Sequence, residues 1–172
     1  MIAAFRGTAP VIDPSAYVVD TAIVIGDVVI GAETSLWFHA VVRGDVNSIR
    51  IGRRTNVQDH ATIHVLTARA ATTVGDDVTI GHGAIVHGCT IGDRTLVGMG
   101  AIVLDGVEVG ADCLIGAGAL LTPGTRIAPG QLVVGSPAKA VRALTDVERA
   151  SLVASATNYA RVAAEYRAAG LR

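Results

Sequence analysis

Aliphatic residues recur every six positions along most of this chain, and that period decides what it can fold into. Ile12, Val18, Val24, Ile30, Leu36 and Val42 form one run, Ile51, Val57 and Ile63 a second, and Val74, Ile80 and Val86 a third. A fourth runs from Ile91 through Val97, Val103, Val109, Ile115, Leu121 and Ile127 to Val133. A period of six fits neither an amphipathic helix (3.6) nor a half-buried strand (2.0). It is the signature of a hexapeptide β-helix. Each unit supplies a short extended segment and a corner, and three units close a triangular coil with the aliphatic side chain pointing inward. Coils then stack as parallel strands about 4.8 Å apart, each touching only its neighbours. Gly follows the aliphatic residue in the IG pairs that begin at residues 30, 51, 80, 91 and 115, where it eases tight turns.

The expected architecture is an all-β solenoid, a single-stranded parallel β-helix of hexapeptide repeats with nearly seven coils. Its hand is expected to be left, as in other solenoids of this repeat. Counting sides one, two and three from Ile12, only the steps Val42 to Ile51, Ile63 to Val74 and Val86 to Ile91 depart from six, at nine, eleven and five residues. All three fall at the corner between side three and the next side one, and repeat scaffolds build sites where such irregularities cluster. After Ala138 the pattern changes. Thr145 with Glu148 makes a capping box, and Leu152, Ala156, Tyr159, Ala163 and Tyr166 recur at helical spacing. The division expected is a β-helix domain over 1–138, then a linker and an α-helix packed on the solenoid over 139–172.

Charge narrows the function classes. Formal net charge is −1 with no basic run, so neither nucleic acid nor an anionic membrane surface is an expected partner. Apolar residues reach 51%, but Gly and Asp interrupt them before any run approaches the roughly 20 of a membrane span. The first residues, MIAAFRGTAPVIDP, lack a signal-peptide core, so a cytoplasmic location is expected. Cys89 and Cys113 are too few for a disulfide framework or a thiolate zinc site and are read as small core residues.

In the coil frame, Arg43, His64 and His87 each follow the side-three aliphatic residue of successive coils and stack in one outward column. Asp59 and His82 sit two after the side-two aliphatic residue and form a second column. The five residues from His82 to His87 span up to roughly 16 Å of perimeter, so within one chain the columns diverge around a corner. A metal bound by imidazoles needs nitrogens at about 2 Å, and a three-histidine site therefore takes His82 from a neighbouring subunit. A cyclic trimer, which sets side two of one molecule against side three of the next, does this and closes without a free end. The same docking one coil lower pairs Asp59 with a neighbour's Arg43. An isolated histidine is more often hydrogen-bonded or solvated than a ligand, and His39 and His60 are read that way.

These residues resemble the gamma-class carbonic anhydrases and their relatives. The motifs are SLWFHAVVRGDV at 35–46, NVQDHATIH at 56–64, IGHGAIVHGCTIGD at 80–93 and VVGSPAKAVR at 133–142, the last being common to hexapeptide transferases generally. The resemblance implies a homotrimer with one zinc, or alternatively iron or cobalt, at each interface. The ligands would be His64 and His87 of one chain and His82 of the next. It implies an intersubunit pair of Arg43 with Asp59, support from Asp45, and Gln58 hydrogen-bonding the reacting water or bicarbonate. The implied reaction is reversible hydration of carbon dioxide to bicarbonate by hydroxide generated at the metal. Two departures bear on rate. Val46 stands where well-characterised members carry a glutamate, and LTARAAT at 66–72 replaces an acidic loop, so the proton-shuttling acids are missing. The rival readings are a metal-dependent acyl-CoA thioesterase on the same scaffold and a structural trimer stapled by metal.

Overall fold

The computed structural model describes residues 1–171, and it is a left-handed parallel β-helix of about seven turns followed by one helix. The strand registers reproduce the six-residue columns. On side one Ile12, Ile30, Ile51, Val74, Ile91, Val109 and Ile127 are successive partners. On side two Val18, Leu36, Val57, Ile80, Val97, Ile115 and Val133 are. On side three Val24, Val42, Ile63, Val86, Val103 and Leu121 are. These side chains form the buried core, except Ile12 and Val18, half-buried at the open first coil.

The corners have their own columns. Ala22, Ala40, Ala61, Ala84, Ala101 and Ala119 line the turn from side two to side three, all buried, because an inward Cβ there has room for a methyl group only. At the turn from side one to side two, Thr34, Thr55 and Thr95 donate to the carbonyls of Gly52, Gly75 and Gly110 and accept backbone N–H groups of the next coil, so buried corner groups are satisfied. Cys89 and Cys113 are buried corner residues, and burial pushes the Cys89 thiol up to about 12.

Strands Ile23–Ile30 and Val41–Ile51 turn the corner and join sides three and one into a twelve-stranded sheet, with side two an eight-stranded sheet. The nine-residue step appears as a bulge: Gly26 pairs with Gly44 and Val28 with Ile49, which leaves Asp45 to Ser48 opposite Asp27 alone. The eleven-residue step is a short loop closed by a bridge between Leu66 and Ala70.

The stretch from 139, read from sequence as the start of a linker, is taken up to residue 143 by the strand Ala138–Ala143, antiparallel to Gln131–Gly135 on side two. The helix Asp146–Ala168 begins at the capping box of Thr145 and Glu148. It lies along side two with Leu152, Ala156 and Ala163 buried, and Tyr159 and Tyr166 pack edge-on against Trp37. Its far end returns to the first coils, where Arg167 donates to the Ser15 carbonyl and the Tyr17 hydroxyl to that of Leu171. Among the described residues no helix is long and apolar enough to cross a membrane.

Candidate metal centre

His64 and His87 are direct register partners on adjacent strands, in the column after the side-three aliphatic residues. Their rings face each other, with His64 Nδ1 3.0 Å from His87 Nε2. Each ring has a carboxylate at its other nitrogen. His64 Nε2 lies 3.0 Å from Asp45 Oδ1 and His87 Nδ1 lies 2.6 Å from Asp105 Oδ1. The bulge carries Asp45 to His64, and Arg43, on the regular strand just before it, pairs with that carboxylate. Burial pushes the Asp45 carboxyl up, but hydrogen bonds from His64 and Arg43 outweigh it and hold it below the usual range. Thr72 ties the two coils together. Its hydroxyl donates to the His64 carbonyl and accepts the Gly88 N–H at 2.9 Å.

This chain of four groups bears on metal binding. A carboxylate only accepts, so each far ring nitrogen carries the N–H that meets it. With that tautomer in both rings the facing nitrogens are the ones left to offer lone pairs, to a shared proton or to a cation between them. Two imidazole nitrogens on one tetrahedral zinc, each at 2.0–2.1 Å, lie about 3.4 Å apart, within a few tenths of an ångström of the separation here. The donor set fits a borderline divalent ion.

His82 is elsewhere. It sits at the corner between sides two and three, with Nδ1 2.8 Å from Asp59 Oδ2, and among the described residues no three His, Cys, Asp or Glu side chains are gathered to hold a metal. So the fold brings Arg43, Asp45, His64 and His87 together and sets Gln58, Asp59 and His82 apart on the adjoining side. Within the chain Arg43 meets Asp45, and Asp59 meets His82. Gln58 is buried, and its amide nitrogen donates to Asn56 Oδ1 at 3.1 Å. Asn56 donates to the Thr79 hydroxyl, which meets Ser155 of the helix, so the helix stiffens the mount of Gln58. Gln58 and His82 flank a largely apolar cleft of about 370 Å³ with Leu96, Met99 and Leu114. His39 and His60 stack at 5.2 Å on the outer corner, away from the facing pair, as expected of surface histidines.

Asp105 was not among the residues expected from sequence. Its signal lay in the register: Val86 pairs with Val103, which sets Gly88 beside Asp105 one coil on.

A left-handed hexapeptide-repeat solenoid with paired histidines at its irregular corner defines the class. A bacterial transferase hexapeptide model of six repeats matches residues 88–123. Gamma carbonic anhydrase 1, mitochondrial, of Arabidopsis thaliana is 46% identical over 93% of this chain and 60% of its own length. A carbonic anhydrase of Geobacillus kaustophilus is 42% identical over 85% of this chain and 80% of its own. A crystal structure from Bacillus cereus, provisionally described as an acetyltransferase, superposes with a TM-score of 0.95 at 41% identity, covering 98% of this chain and 97% of that one. The chain belongs to the gamma carbonic anhydrase family. It spans 60% and 58% of the lengths of the first two plant relatives.

Proposed function

We propose that the protein is a metal-dependent carbonic anhydrase that interconverts carbon dioxide and bicarbonate, with zinc, or alternatively iron or cobalt, held by His64 and His87 of one subunit and His82 of the next in a homotrimer. The observation that carries this is the pair of imidazole nitrogens facing each other at 3.0 Å, each ring backed by a carboxylate. The trimer is supported by side three, whose outward column of Ile23, Val41, Thr62, Ile85, Ile102 and Leu120 is half-buried or exposed and aliphatic but for Thr62.

When bound, the ion supplies Lewis acidity that makes hydroxide available from water near neutral pH. The chain's own groups do the rest. Asp45 and Asp105 accept from the far nitrogens of His64 and His87, leaving the facing nitrogens free to bind. Gln58, turned from Asn56, orients the attacking oxygen, and the apolar wall of Leu96, Met99 and Leu114 keeps carbon dioxide in a water-poor cleft. One carbon–oxygen bond forms as one C=O π bond opens, and the proton from water leaves to solvent. Val46 is partly buried against the core and carries no proton, so hydration is slow and limited by buffer.

The test is stopped-flow carbon dioxide hydration on protein reconstituted with Zn²⁺ or Fe²⁺, beside His64→Ala. Metal-dependent hydration lost in the variant is expected. No hydration with a full metal complement overturns the reaction. The cleft itself favours a second reading, acyl-CoA thioester hydrolysis, because its apolar wall suits an acyl chain. Thiol release without hydration would select that chemistry.

A further inference from the structure

The metal-binding function proposed above uses His87 Nε2 and takes Asp105 only as the acceptor at the far nitrogen. We propose that Asp105 is a positioning residue for His87, fixing its tautomer and ring plane so that Nε2 is the nitrogen offered to the metal. This role rests on that proposed function. Three observations converge on it.

The first is the contact, 2.6 Å from Asp105 Oδ1 to His87 Nδ1, slightly shorter than the roughly 2.7–2.9 Å of charge-assisted N–H···O bonds. Among the described residues His87 is the sole ion-pair partner of Asp105, so the carboxylate is not held for a neighbouring arginine. The second is the space made for it. A Cβ on Gly88 would stand 2.3 Å from Asp105 Oδ1, so only glycine at 88 lets the carboxylate pass to the ring. The third is the stiffness of the mount. The Asp105 carbonyl accepts from Gly124 N at 2.9 Å, and Gly106 N donates to the Gly88 carbonyl at 2.7 Å, locking this corner to coils on both sides.

The five-residue step from Val86 to Ile91 lies against the six-residue step from Val103 to Val109, and Asp105 stands in that facing corner, one coil on from Gly88. Asp45 does the corresponding work for His64 from the lengthened coil, so the two ligands are supported from opposite directions along the stack. Partners of this kind orient the ligand and raise its basicity, and their loss weakens metal binding roughly 10–100-fold.

The test measures Zn²⁺ affinity by chelator competition at fixed neutral pH, with the visible absorption of the Co²⁺ form as a second signature. Asp105→Asn keeps the shape and removes the charge, and Asp105→Ala removes the acceptor. Affinity should fall roughly tenfold in the first and up to about 100-fold in the second, with an altered Co²⁺ band and an unchanged unfolding midpoint of the metal-free protein. Should Asp105→Ala not fold, Asp105→Asn decides alone. Wild-type affinity and an unaltered Co²⁺ band in Asp105→Asn would overturn the positioning role while leaving the metal site standing. A wild-type protein that binds no Zn²⁺ would overturn the proposed function and this role together.

Discussion

At the scale of single residues, the site depends on backbone as much as on ligands. Gly26, at φ +80°, sits opposite Gly44, and a Cβ there would lie 2.3 Å from the Gly44 carbonyl oxygen. Backbone cannot yield as a flexible side chain can, so Gly26→Ala must displace the strand that carries Arg43 and Asp45. The expected cost is about 3 kcal/mol or more. Gly118, at φ +66° with nothing within 4 Å of where a methyl group would stand, isolates the conformational part, about 1 kcal/mol for Gly118→Ala. Urea midpoints of the two variants check both values, and equal losses would show that the close approach to Gly44 does not matter. Residues differ in how far the chain order reveals them. His64 and His87 were legible because each follows an inward aliphatic residue, which fixes both its side and its coil. Asp105 has the same kind of address but follows Leu104 at an ordinary corner, where an aspartate is also a common turn former, so nothing in its own surroundings distinguished it.

Among the elements, the helix is the one whose attachment can be watched. The guanidinium of Arg142 and the backbone N–H of Thr145 hold the Glu148 carboxyl down to about 2, well below its ordinary range. A depressed folded value means that the contribution is complete above the unfolded value, about 4.3, and is lost as pH falls through the folded one. Loosening of the helix start is therefore expected between roughly pH 4.5 and pH 2. Trp37, the single tryptophan, packs on Tyr159 and Tyr166, so its emission reports docking. Glu148→Gln should flatten that part of the acid titration while leaving transitions from Asp45 and Asp112, also held low, in place. An unchanged titration would mean that the cap does not govern docking. The capping box and apolar stripe announced this helix in sequence. The strand Ala138–Ala143 did not announce itself, because AKAVRA faces solvent along most of its length and shows no alternation. Its reason is the edge it covers: without it Gln131–Gly135 would end side two as an open strand.

For the whole molecule, the repeat determines which surfaces remain for assembly. The helix packs chiefly on the first four coils of side two, leaving the cleft beside Gln58 and His82. Side three has no such cover, and Ile85, 38% exposed, sits in its aliphatic column one position before the inward Val86 and two before His87. A cyclic trimer that lays side three of each subunit on side two of the next covers both surfaces and brings His82 to the facing histidines. Ile85→Glu places a charge in that contact without touching the buried core, so the predicted product is a folded monomer. Light scattering after size exclusion should report the single-chain mass with an unchanged circular dichroism spectrum. Zn²⁺ affinity should fall as well, because a monomer keeps His64 and His87 and loses the third imidazole. Val147→Glu on the outer helix, 81% exposed, should stay trimeric and bind metal normally. A trimeric Ile85→Glu would place the interface elsewhere, and a monomer with full affinity would show that His82 is not a ligand. The two measurements therefore separate the assembly from the chemistry that the assembly completes.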